Sequence, residues 1–217
     1  MDKKTVFAHV DHTLLKPTAT WAQIQALCDE AMAHGMATVC VPACYVKPIA
    51  DAYGNKLKVC TVVGFPLGYS TAAAKAFEAR EAVQNGAAEV DMVINIGDAK
   101  AGLFDKITEE IKQIKAAVGE KVLKVIVETC YLTDDEKAAL CRCVTDAGAD
   151  FIKTSTGFGT AGATLADVEL FKQHVGPGVR IKAAGGIRTA QDMEAYLAAG
   201  CARIGASAAI QAYEGRE

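Results

Sequence analysis

Short apolar runs alternate along this chain with longer amphipathic segments. Four of the amphipathic segments end at a glycine that is followed by an apolar run: Gly35, Gly86, Gly148 and Gly200. Glycine fits the position after the last helical turn because it adopts the left-handed conformation without steric cost. The pattern predicts eight strands, at residues 6–10, 38–41, 59–63, 90–94, 122–127, 151–154, 179–182 and 202–205.

The segments between these strands predict eight helices, near residues 20–34, 45–53, 71–85, 100–118, 134–147, 164–175, 189–199 and 207–213. Thr20 and Thr133 are each followed three residues later by Gln or Glu, which is a capping box. Thr164 and Thr189 have aspartate at that distance, which is a weaker form of the same signal. Eight units in 217 residues leave about 27 residues for each strand and its helix, which is sufficient.

Strands and helices alternate strictly, and no segment rich in proline, glycine or serine separates them. This predicts one α/β domain over residues 1–217 with a parallel sheet. We favour a closed (β/α)8 barrel over an open doubly wound sheet for two reasons. No G-x-G-x-x-G follows the first strand, and ionisable residues lie near the carboxyl ends of several strands. An open sheet of five or six strands is the alternative if a terminal unit is assigned wrongly.

Composition and charge exclude several classes of protein. The chain is 51% hydrophobic and 23% charged with a net charge of −3, so it has no basic surface for nucleic acid or a membrane. No apolar signal segment and no run of about 18 apolar residues occurs, so we expect a cytoplasmic protein. The eight cysteines form no C-x-x-C pair, and we expect reduced, mostly buried thiols and no metal site.

Two lysines interrupt apolar strands near their carboxyl ends. Lys153 and Lys182 occupy corresponding places on neighbouring predicted strands, and alternation of side chains points both into the barrel. Repulsion between two ammonium groups and loss of solvent both lower the pKa of a lysine, so we expect one amine of the pair to be neutral and nucleophilic. A single lysine here could equally snorkel or form a structural ion pair, but a pair favours Schiff-base chemistry.

Asp91 supplies a carboxylate on the inward face of the fourth strand. Within reach of two lysines it can hold one of them protonated and transfer protons. Asp11 and Thr13 end the first predicted strand, where they either orient substrate or, for Asp11, cap a loop or bind a lysine. Glu128 at the end of the fifth strand is equally ambiguous.

Small residues at the ends of the last two strands indicate phosphate binding. Gly185 and Gly186 follow the seventh strand, and Gly205 and Ser207 lie at the end of the eighth. Backbone amides of such loops bind phosphate in barrels, and Arg188 can add a contact. Tight turns need small residues in any case, so the two clusters carry weight only together. Cys40 is a further candidate, as a thiol close enough to the mouth to react with electrophilic aldehydes.

Six segments, spread over nearly the whole chain, occur in the order found in one enzyme family. They are residues 9–15 (HVDHTLL), 62–68 (VVGFPLG), 89–95 (EVDMVIN), 151–158 (FIKTSTGF), 181–188 (IKAAGGIR) and 203–207 (RIGAS). On these segments the chain closely resembles the deoxyribose-phosphate aldolase family, to which the pair of lysines with its neighbours is specific.

The resemblance implies a (β/α)8 barrel and a class I aldolase without metal or cofactor. The implied reaction is the reversible cleavage of 2-deoxy-D-ribose 5-phosphate to D-glyceraldehyde 3-phosphate and acetaldehyde. Lys153 matches the Schiff-base lysine, Lys182 the second lysine and Asp91 the proton-relay aspartate, and we expect Thr156 to contact substrate. Some members have a lysine after Thr-Ser-Thr-Gly that helps to hold the phosphate, where this chain has Phe158.

Two other functions stay open. A Schiff-base aldolase for keto-acid phosphates needs an arginine in the mouth, whereas Arg180 and Arg203 lie deep along their strands. A phosphosugar isomerase or non-catalytic phosphosugar-binding barrel would bind phosphate without an imine, which leaves the lysine pair unexplained. Barrels of this kind often form homodimers or homotetramers, and the sequence does not decide between these states.

Overall fold

The computed structural model describes residues 1–214 and shows a closed barrel of eight parallel strands. Each strand pairs with the next along the chain, and the last pairs with the first. The predicted (β/α)8 barrel is confirmed, whereas the predicted domain boundary at residue 217 lies outside the described residues. The strands are β1 Val10–Thr13, β2 Thr38–Val41, β3 Val59–Val63, β4 Glu89–Val93, β5 Val122–Ile126, β6 Phe151–Lys153, β7 Arg180–Ala184 and β8 Arg203–Ala206.

Helices surround the barrel, and short 3₁₀ turns at Ala43–Tyr45, Gly54–Lys56 and Thr129–Tyr131 follow three of the strands or helices. The helices are α1 Lys3–Phe7, α2 Trp21–His34, α3 Val46–Tyr53, α4 Ala72–Gln84, α5 Ile96–Lys100, α6 Phe104–Val118, α7 Asp134–Asp146, α8 Leu165–His174, α9 Ala190–Ala198 and α10 Ala209–Tyr213.

The predicted helix ends agree closely with the structure. The capping boxes at Thr20 and Thr133 are both present, and Thr189 forms a third with Asp192. The hydroxyl of Thr164 accepts a hydrogen bond from the Asp167 amide at 3.0 Å. The four glycines at the helix-to-strand junctions all have positive φ, which supports their role as helix terminators.

The first predicted strand, at residues 6–10, is wrong. Lys3–Phe7 forms the helix α1, and β1 begins only at Val10. Asp2 caps this helix by accepting a hydrogen bond from the Thr5 amide at 2.9 Å. The two apolar residues of α1 are buried, so they form the inner face of a short helix rather than part of a strand.

Two helix starts also differ from the prediction. The helix predicted from residue 100 begins at Phe104, and Ile96–Lys100 before it forms the separate short helix α5, with Gly102 at φ 72° between the two. The last helix begins at Ala209 rather than at residue 207. Neither difference changes the order of strands and helices, so the arrangement at the carboxyl ends of the strands is the one expected from the sequence.

The structure has two interiors of opposite character. Outward-facing strand residues such as Val90 and Ile152 pack with the helices in an apolar layer. The inside of the barrel instead carries buried charged side chains, which are Asp11, Glu89, Asp91, Lys124, Lys153 and Lys182. Charged side chains are almost never fully buried unless they are paired. This group of buried charges therefore indicates a functional site inside the barrel.

The remaining sequence expectations concern cysteines and membranes. All eight cysteines are free; six are buried, Cys130 is half-buried and Cys44 is exposed. Within residues 1–214, no helix has the length and apolar character needed to cross a membrane.

Candidate active site

Three lysines project into the barrel from neighbouring strands. Lys124 lies on β5, Lys153 on β6 and Lys182 on β7. Lys153 and Lys182 are register partners, as are Lys124 and Asp91 of β4. All four side chains are buried, and none is more than 3% exposed. The predicted pair of lysines is therefore brought together with its predicted carboxylate, and a third lysine joins them.

Asp91 is the centre of this arrangement. Its Oδ2 accepts hydrogen bonds from Lys153 Nζ and Lys182 Nζ, each at 2.7 Å. Its Oδ1 accepts from Lys124 Nζ at 2.8 Å and from the Cys60 thiol at 3.2 Å. A single carboxylate oxygen thus joins two amines, which provides a direct path for a proton between them.

A second group of charges supports the first. Lys182 Nζ also donates to Asp11, and Arg203 Nη1 donates to Asp11 Oδ1 at 2.6 Å and to Glu89 Oε2 at 2.9 Å. Lys124 forms an ion pair with Glu89 as well. Asp11 is fully buried and bound to a lysine, which was one of the alternatives left open by the sequence.

Nearby charges, rather than burial, determine the direction of the pKa shifts. Burial alone would raise the pKa of Asp91, but the three ammonium groups outweigh it and hold this pKa well below the ordinary value of 3.8. Burial would lower the pKa of Lys182, yet Asp11 and Asp91 raise it above 10.5. The pKa of Lys124 is raised in the same way. The expected lowering therefore does not apply to Lys182, which stays protonated.

The charges of this cluster do not balance. Burial, the Cys40 thiol and the Asp91 carboxylate raise the pKa of Cys60 well above 9.0, so Cys60 is a neutral thiol and supplies no negative charge. When every amine is protonated, one positive charge is left uncompensated. Burying such a charge is costly, and the hydrogen bond with Cys60 and the nearby Lys182 ammonium lower the pKa of the neighbouring Cys40 thiol. The cations of the cluster are Lys124, Lys153, Lys182 and Arg203, and its anions are Asp11, Glu89 and Asp91.

Two triads in the described chain bring metal-binding atom types within 4.8 Å of one another, namely Cys40, Cys60 and Asp91, and Asp11, Cys60 and Glu89. The Lys124 ammonium lies 3.3 Å from Cys60 Sγ and 2.8 Å from Asp91 Oδ1. The sulfur and oxygen atoms that would bind a metal thus already accept hydrogen bonds from Lys124. A metal cation beside this ammonium group would be repelled. The triads are therefore explained as parts of the ion-pair network.

A cavity of about 390 Å³ opens above the cluster at the carboxyl ends of the strands. Of the predicted site residues, Thr13, Lys153, Thr156, Gly185, Gly186, Gly205 and Ser207 line it. Asp91, Lys182 and Asp11 lie among the buried charges and are not part of this lining. Lys153 thus belongs both to the charged cluster and to the cavity.

Glycines shape the cavity wall by leaving room for their neighbours. A Cβ on Gly205 would lie 3.3 Å from Lys182 Cε and 3.0 Å from the Ala184 Cβ, so glycine there gives the lysine its space. Gly185 and Gly186 have φ of 84° and 75°, which other residues rarely adopt. Gly205 therefore makes room for Lys182, whereas Gly185 and Gly186 form a backbone turn that other residues rarely adopt.

The same cavity has cationic side chains away from the buried cluster. Lys16 and Arg188 are exposed and line it together with the glycines. Phe158, which stands where some family members have lysine, also lines the cavity, and its ring packs edge-on against Phe65 at a centroid distance of 5.3 Å. The positive charge of this wall therefore comes from Lys16, after β1, and Arg188, after β7, and not from the loop after β6 that carries Phe158.

Several residues escaped the sequence analysis or were placed differently by it. Lys124 was overlooked, although a lysine within an apolar strand is the signal that identified Lys153. Cys40 is 1% exposed and does not line the cavity. Arg180 is exposed at the start of β7, at the end of the barrel opposite to the cavity. Arg203 lies within the ion-pair network.

A closed parallel barrel with a buried lysine cluster beneath a cavity at the carboxyl ends of its strands defines an enzyme of the (β/α)8-barrel class. A family model described as DeoC/LacD family aldolase matches residues 5–215. This chain belongs to that family of aldolases. The resemblance inferred from the six sequence segments is confirmed, and so is the assignment as an aldolase, which is a lyase.

Individual relatives agree over nearly their full length. A deoxyribose-phosphate aldolase of Clostridium botulinum is 55% identical over 217 residues, which is 100% of this chain and 98% of that protein. One from Streptococcus pyogenes is 56% identical over 211 residues, 97% of this chain and 95% of that protein. The structure of deoxyribose phosphate aldolase from Aeropyrum pernix, described as a unique tetrameric structure, superposes with a TM-score of 0.89 at 30% identity. It covers 99% of this chain and 92% of that one.

Proposed function

We propose that this protein is a class I aldolase that reversibly cleaves 2-deoxy-D-ribose 5-phosphate to D-glyceraldehyde 3-phosphate and acetaldehyde. One observation carries the proposal. A single carboxylate oxygen, Asp91 Oδ2, lies 2.7 Å from both Lys153 Nζ and Lys182 Nζ, and Lys153 borders the cavity. A nucleophilic amine, a proton relay and access to substrate therefore coincide at one point.

Lys153 is the proposed nucleophile because of its place in the charge network. Lys182 and Lys124 each have at least two carboxylate partners, whereas Asp91 is the one carboxylate of the described residues that pairs with Lys153. Among the three lysines, the amine of Lys153 is therefore held by the fewest ion pairs. The lysine with the fewest ion pairs is thus also the one that faces the cavity.

The reaction begins when Lys153 Nζ attacks C1 of the open-chain sugar to form a carbinolamine. Loss of water gives a protonated imine, which accepts the electron pair of the C2–C3 bond once the C3 hydroxyl loses its proton. D-Glyceraldehyde 3-phosphate leaves, and an enamine remains on the lysine. Protonation of C2 and addition of water then release acetaldehyde and restore the free amine.

Asp91 and Lys182 move the protons in this scheme. Asp91 stays ionised because three ammonium groups hold its pKa below the ordinary value, and its Oδ2 joins the Lys153 amine to Lys182, which remains an ammonium. A water molecule would connect them to the C3 hydroxyl and to C2. The short Lys153–Asp91–Lys182 path allows a proton to return to the network after each step.

The phosphate group would bind at the opposite wall of the cavity. The backbone at Gly185 and Gly186, the residues Gly205 and Ser207, and the side chains of Thr13 and Thr156 would provide polar contacts. Lys16 and Arg188 would supply the positive charge that Phe158 does not. The proposed ligands are thus a small phosphosugar and acetaldehyde, and the chemistry requires no metal or cofactor.

The setting of the enzyme is part of the proposal. A cytoplasmic location is supported by eight free cysteines, six of them buried. We also propose one domain that spans the chain and assembles into a homodimer or homotetramer, supported by the tetramer described for the Aeropyrum pernix relative. Size-exclusion chromatography with light scattering distinguishes these two states.

Trapping of the imine tests the proposed function directly. The protein is incubated with acetaldehyde, reduced with borohydride, digested and analysed by mass spectrometry. We expect an ethyl group on the peptide that contains Lys153, and no such adduct in Lys153→Ala, which should also lose cleavage of 2-deoxyribose 5-phosphate. Lys75, a buried lysine outside the barrel, is an internal control. Modification scattered over surface lysines with Lys153 unmodified would favour a phosphosugar isomerase or binding protein instead.

A further inference from the structure

Glu128 has an unusual backbone conformation immediately after β5. Its φ of 59° and ψ of 68° lie in the left-handed region, and no other non-glycine residue within residues 1–214 has a positive φ. A residue other than glycine is strained in this region and persists there only where its surroundings hold it. Glu128 is also 2% exposed. Its contacts must therefore compensate for both strain and burial.

The carboxylate of Glu128 binds one residue of the cavity wall through both of its oxygens. Oε1 accepts a hydrogen bond from the Thr156 amide at 3.1 Å, and Oε2 accepts one from the Thr156 hydroxyl. The same hydroxyl accepts a hydrogen bond from the Phe158 amide at 3.0 Å. Glu128 thus fixes the segment Thr156–Phe158, all of which lines the cavity, while Glu128 itself does not.

The segment is held from both sides. A Cβ on Gly159 would lie 3.1 Å from Glu128 Cδ and 2.8 Å from Cys130 Sγ, so the loop lies directly on the glutamate side chain. On the other side, a Cβ on Gly185 would come within 3.4 Å of Gly157 Cα. The loop of residues 156–159 therefore lies between Glu128 and the turn at Gly185 and Gly186, where the phosphate is proposed to bind.

Glu128 has a different role from the other buried acids. Asp11, Glu89 and Asp91 face lysines or arginine, whereas no cation of the described chain forms an ion pair with Glu128. Its partners are an amide and a hydroxyl on a single residue of the loop. Such contacts cannot move protons to Lys153, but they can set the distance between two walls of a binding site.

We propose that Glu128 is a positioning residue that makes the enzyme selective for phosphorylated substrate. It holds Thr156–Phe158 at the distance from the turn at Gly185 and Gly186 that fits a phosphate group. The proposal rests on the proposed function in that the phosphate belongs to a deoxysugar. It goes further by assigning phosphate selectivity to a residue that does not touch the ligand.

Two variants test this role without confusing it with folding. Glu128→Gln keeps the shape but removes the negative charge, so the bonds to the Thr156 amide and hydroxyl are no longer made to a carboxylate. Glu128→Gly removes the carboxylate and relieves the backbone strain, because glycine adopts φ near +60° freely. Glu109→Gln, at an exposed glutamate of α6, is the matched control. Circular dichroism and melting temperature confirm that each variant is folded.

Kinetics are measured with 2-deoxyribose 5-phosphate and with unphosphorylated 2-deoxyribose. For both variants we expect KM for the phosphorylated sugar to rise by about tenfold, as for a lost hydrogen bond to a charged group. The value of kcat and the KM for 2-deoxyribose should stay close to the wild-type values, and the control should match wild type. Inorganic phosphate, titrated calorimetrically, should bind about tenfold more weakly.

The outcomes separate this proposal from the proposed function. If wild type does not cleave the phosphosugar, the proposed function fails, while the phosphate titrations still decide the role of Glu128. Unchanged phosphate affinity in both variants overturns the proposal. It is also overturned if KM rises equally for both sugars or if kcat falls by the same factor, because a general structural role would have that effect.

Discussion

Within residues 1–214, two sites bury a lysine against a carboxylate, and they differ in their surroundings. Lys75 of α4 is fully buried in the layer between helices and barrel, where its Nζ lies 2.7 Å from Glu110 Oε1 and 2.8 Å from the Val93 carbonyl oxygen. The cluster around Asp91 lies inside the barrel and contains three lysines and an arginine. One site has one charge of each sign, and the other has an excess of positive charge.

The pKa shifts at the two sites have opposite directions. At the isolated pair, burial outweighs the partner's charge, so the pKa of Lys75 is lowered and that of Glu110 is raised. In the barrel cluster, several opposite charges outweigh burial, so the pKa of Lys182 is raised and that of Asp91 is lowered. Asp91 and Lys182 thus keep their charges because each has more than one counter-charge.

The pair around Lys75 has the features of a structural contact. A Cβ on Gly64 would lie 2.8 Å from Lys75 Cε, so the loop after β3 gives space to the lysine. Glu110 Oε2 in turn accepts a hydrogen bond from the Asn95 amide at 3.3 Å. The pair joins α4 and α6 to the end of β4 and does not line the cavity above Lys153. Buried lysine alone therefore does not indicate catalysis; excess charge beside a cavity does.

The largest effect is expected when the centre of the cluster is neutralised. In Asp91→Asn, cleavage of 2-deoxyribose 5-phosphate should fall by about 10³-fold, because the proton relay is lost and four cations face only two carboxylates. Steady-state kinetics measure the loss. Asp51→Asn, at an exposed ion pair with Lys47, is the control and should keep full activity. If Asp91→Asn lowers activity by less than about tenfold, the cluster around Asp91 has a structural role like that of the Lys75–Glu110 pair.

The isolated pair should behave in the opposite way. Lys75→Met should lower the free energy of unfolding by about 3–5 kcal/mol, because it leaves the Glu110 carboxylate buried without its partner. Lys75→Met combined with Glu110→Gln should recover about half of this loss, since neither buried charge remains. Urea unfolding measures both values.

Activity provides the contrast for these Lys75 variants. Both should retain the wild-type kcat and the borohydride-trapped adduct on Lys153 at temperatures where they are folded. A large fall in kcat in the folded double variant would contradict the division into a structural pair and a catalytic cluster.

A smaller effect is expected from the lysine that holds the far oxygen of Asp91. Lys124→Met should lower kcat by about tenfold with little change in KM, because Asp91 loses the hydrogen bond that orients it while Lys153 and Lys182 remain. The adduct on Lys153 should still form. Loss of the adduct would instead assign Lys124 a direct part in imine formation.

The stability of the same variant should depend on pH in a defined direction. The pKa of Lys124 in the folded protein lies above 10.5, because neighbouring carboxylates outweigh burial. Its contribution to stability is then fully present below pH 10.5 and is lost as pH rises through the higher folded-state pKa. The difference in melting temperature between wild type and Lys124→Met should therefore be constant near neutral pH and should narrow above pH 10.5. A difference that widens at high pH would contradict the assignment.

Local signals predicted most of the barrel but failed at its beginning. Helix caps and terminating glycines involve residues only a few positions apart, which is why the capping boxes at Thr20 and Thr133 were found correctly. At the first unit, Val6 and Phe7 have an apolar pattern too short to distinguish strand from helix. In the structure, the N-cap at Asp2 and the burial of Val6 and Phe7 in the core stabilise a helix in this segment.

The sequence by itself determined the eight units, the strands that carry Lys153, Lys182 and Asp91, and the inward direction of these side chains. Alternation along a strand is a local property, so it can be read without coordinates. Only the tertiary structure decided which atoms meet. Closure of the barrel and its register bring Lys124 to one oxygen of Asp91 and two lysines to the other, and bring Glu128 to Thr156. Because such contacts join residues far apart in the chain, they depend on the packing of strands and loops and not on any local pattern.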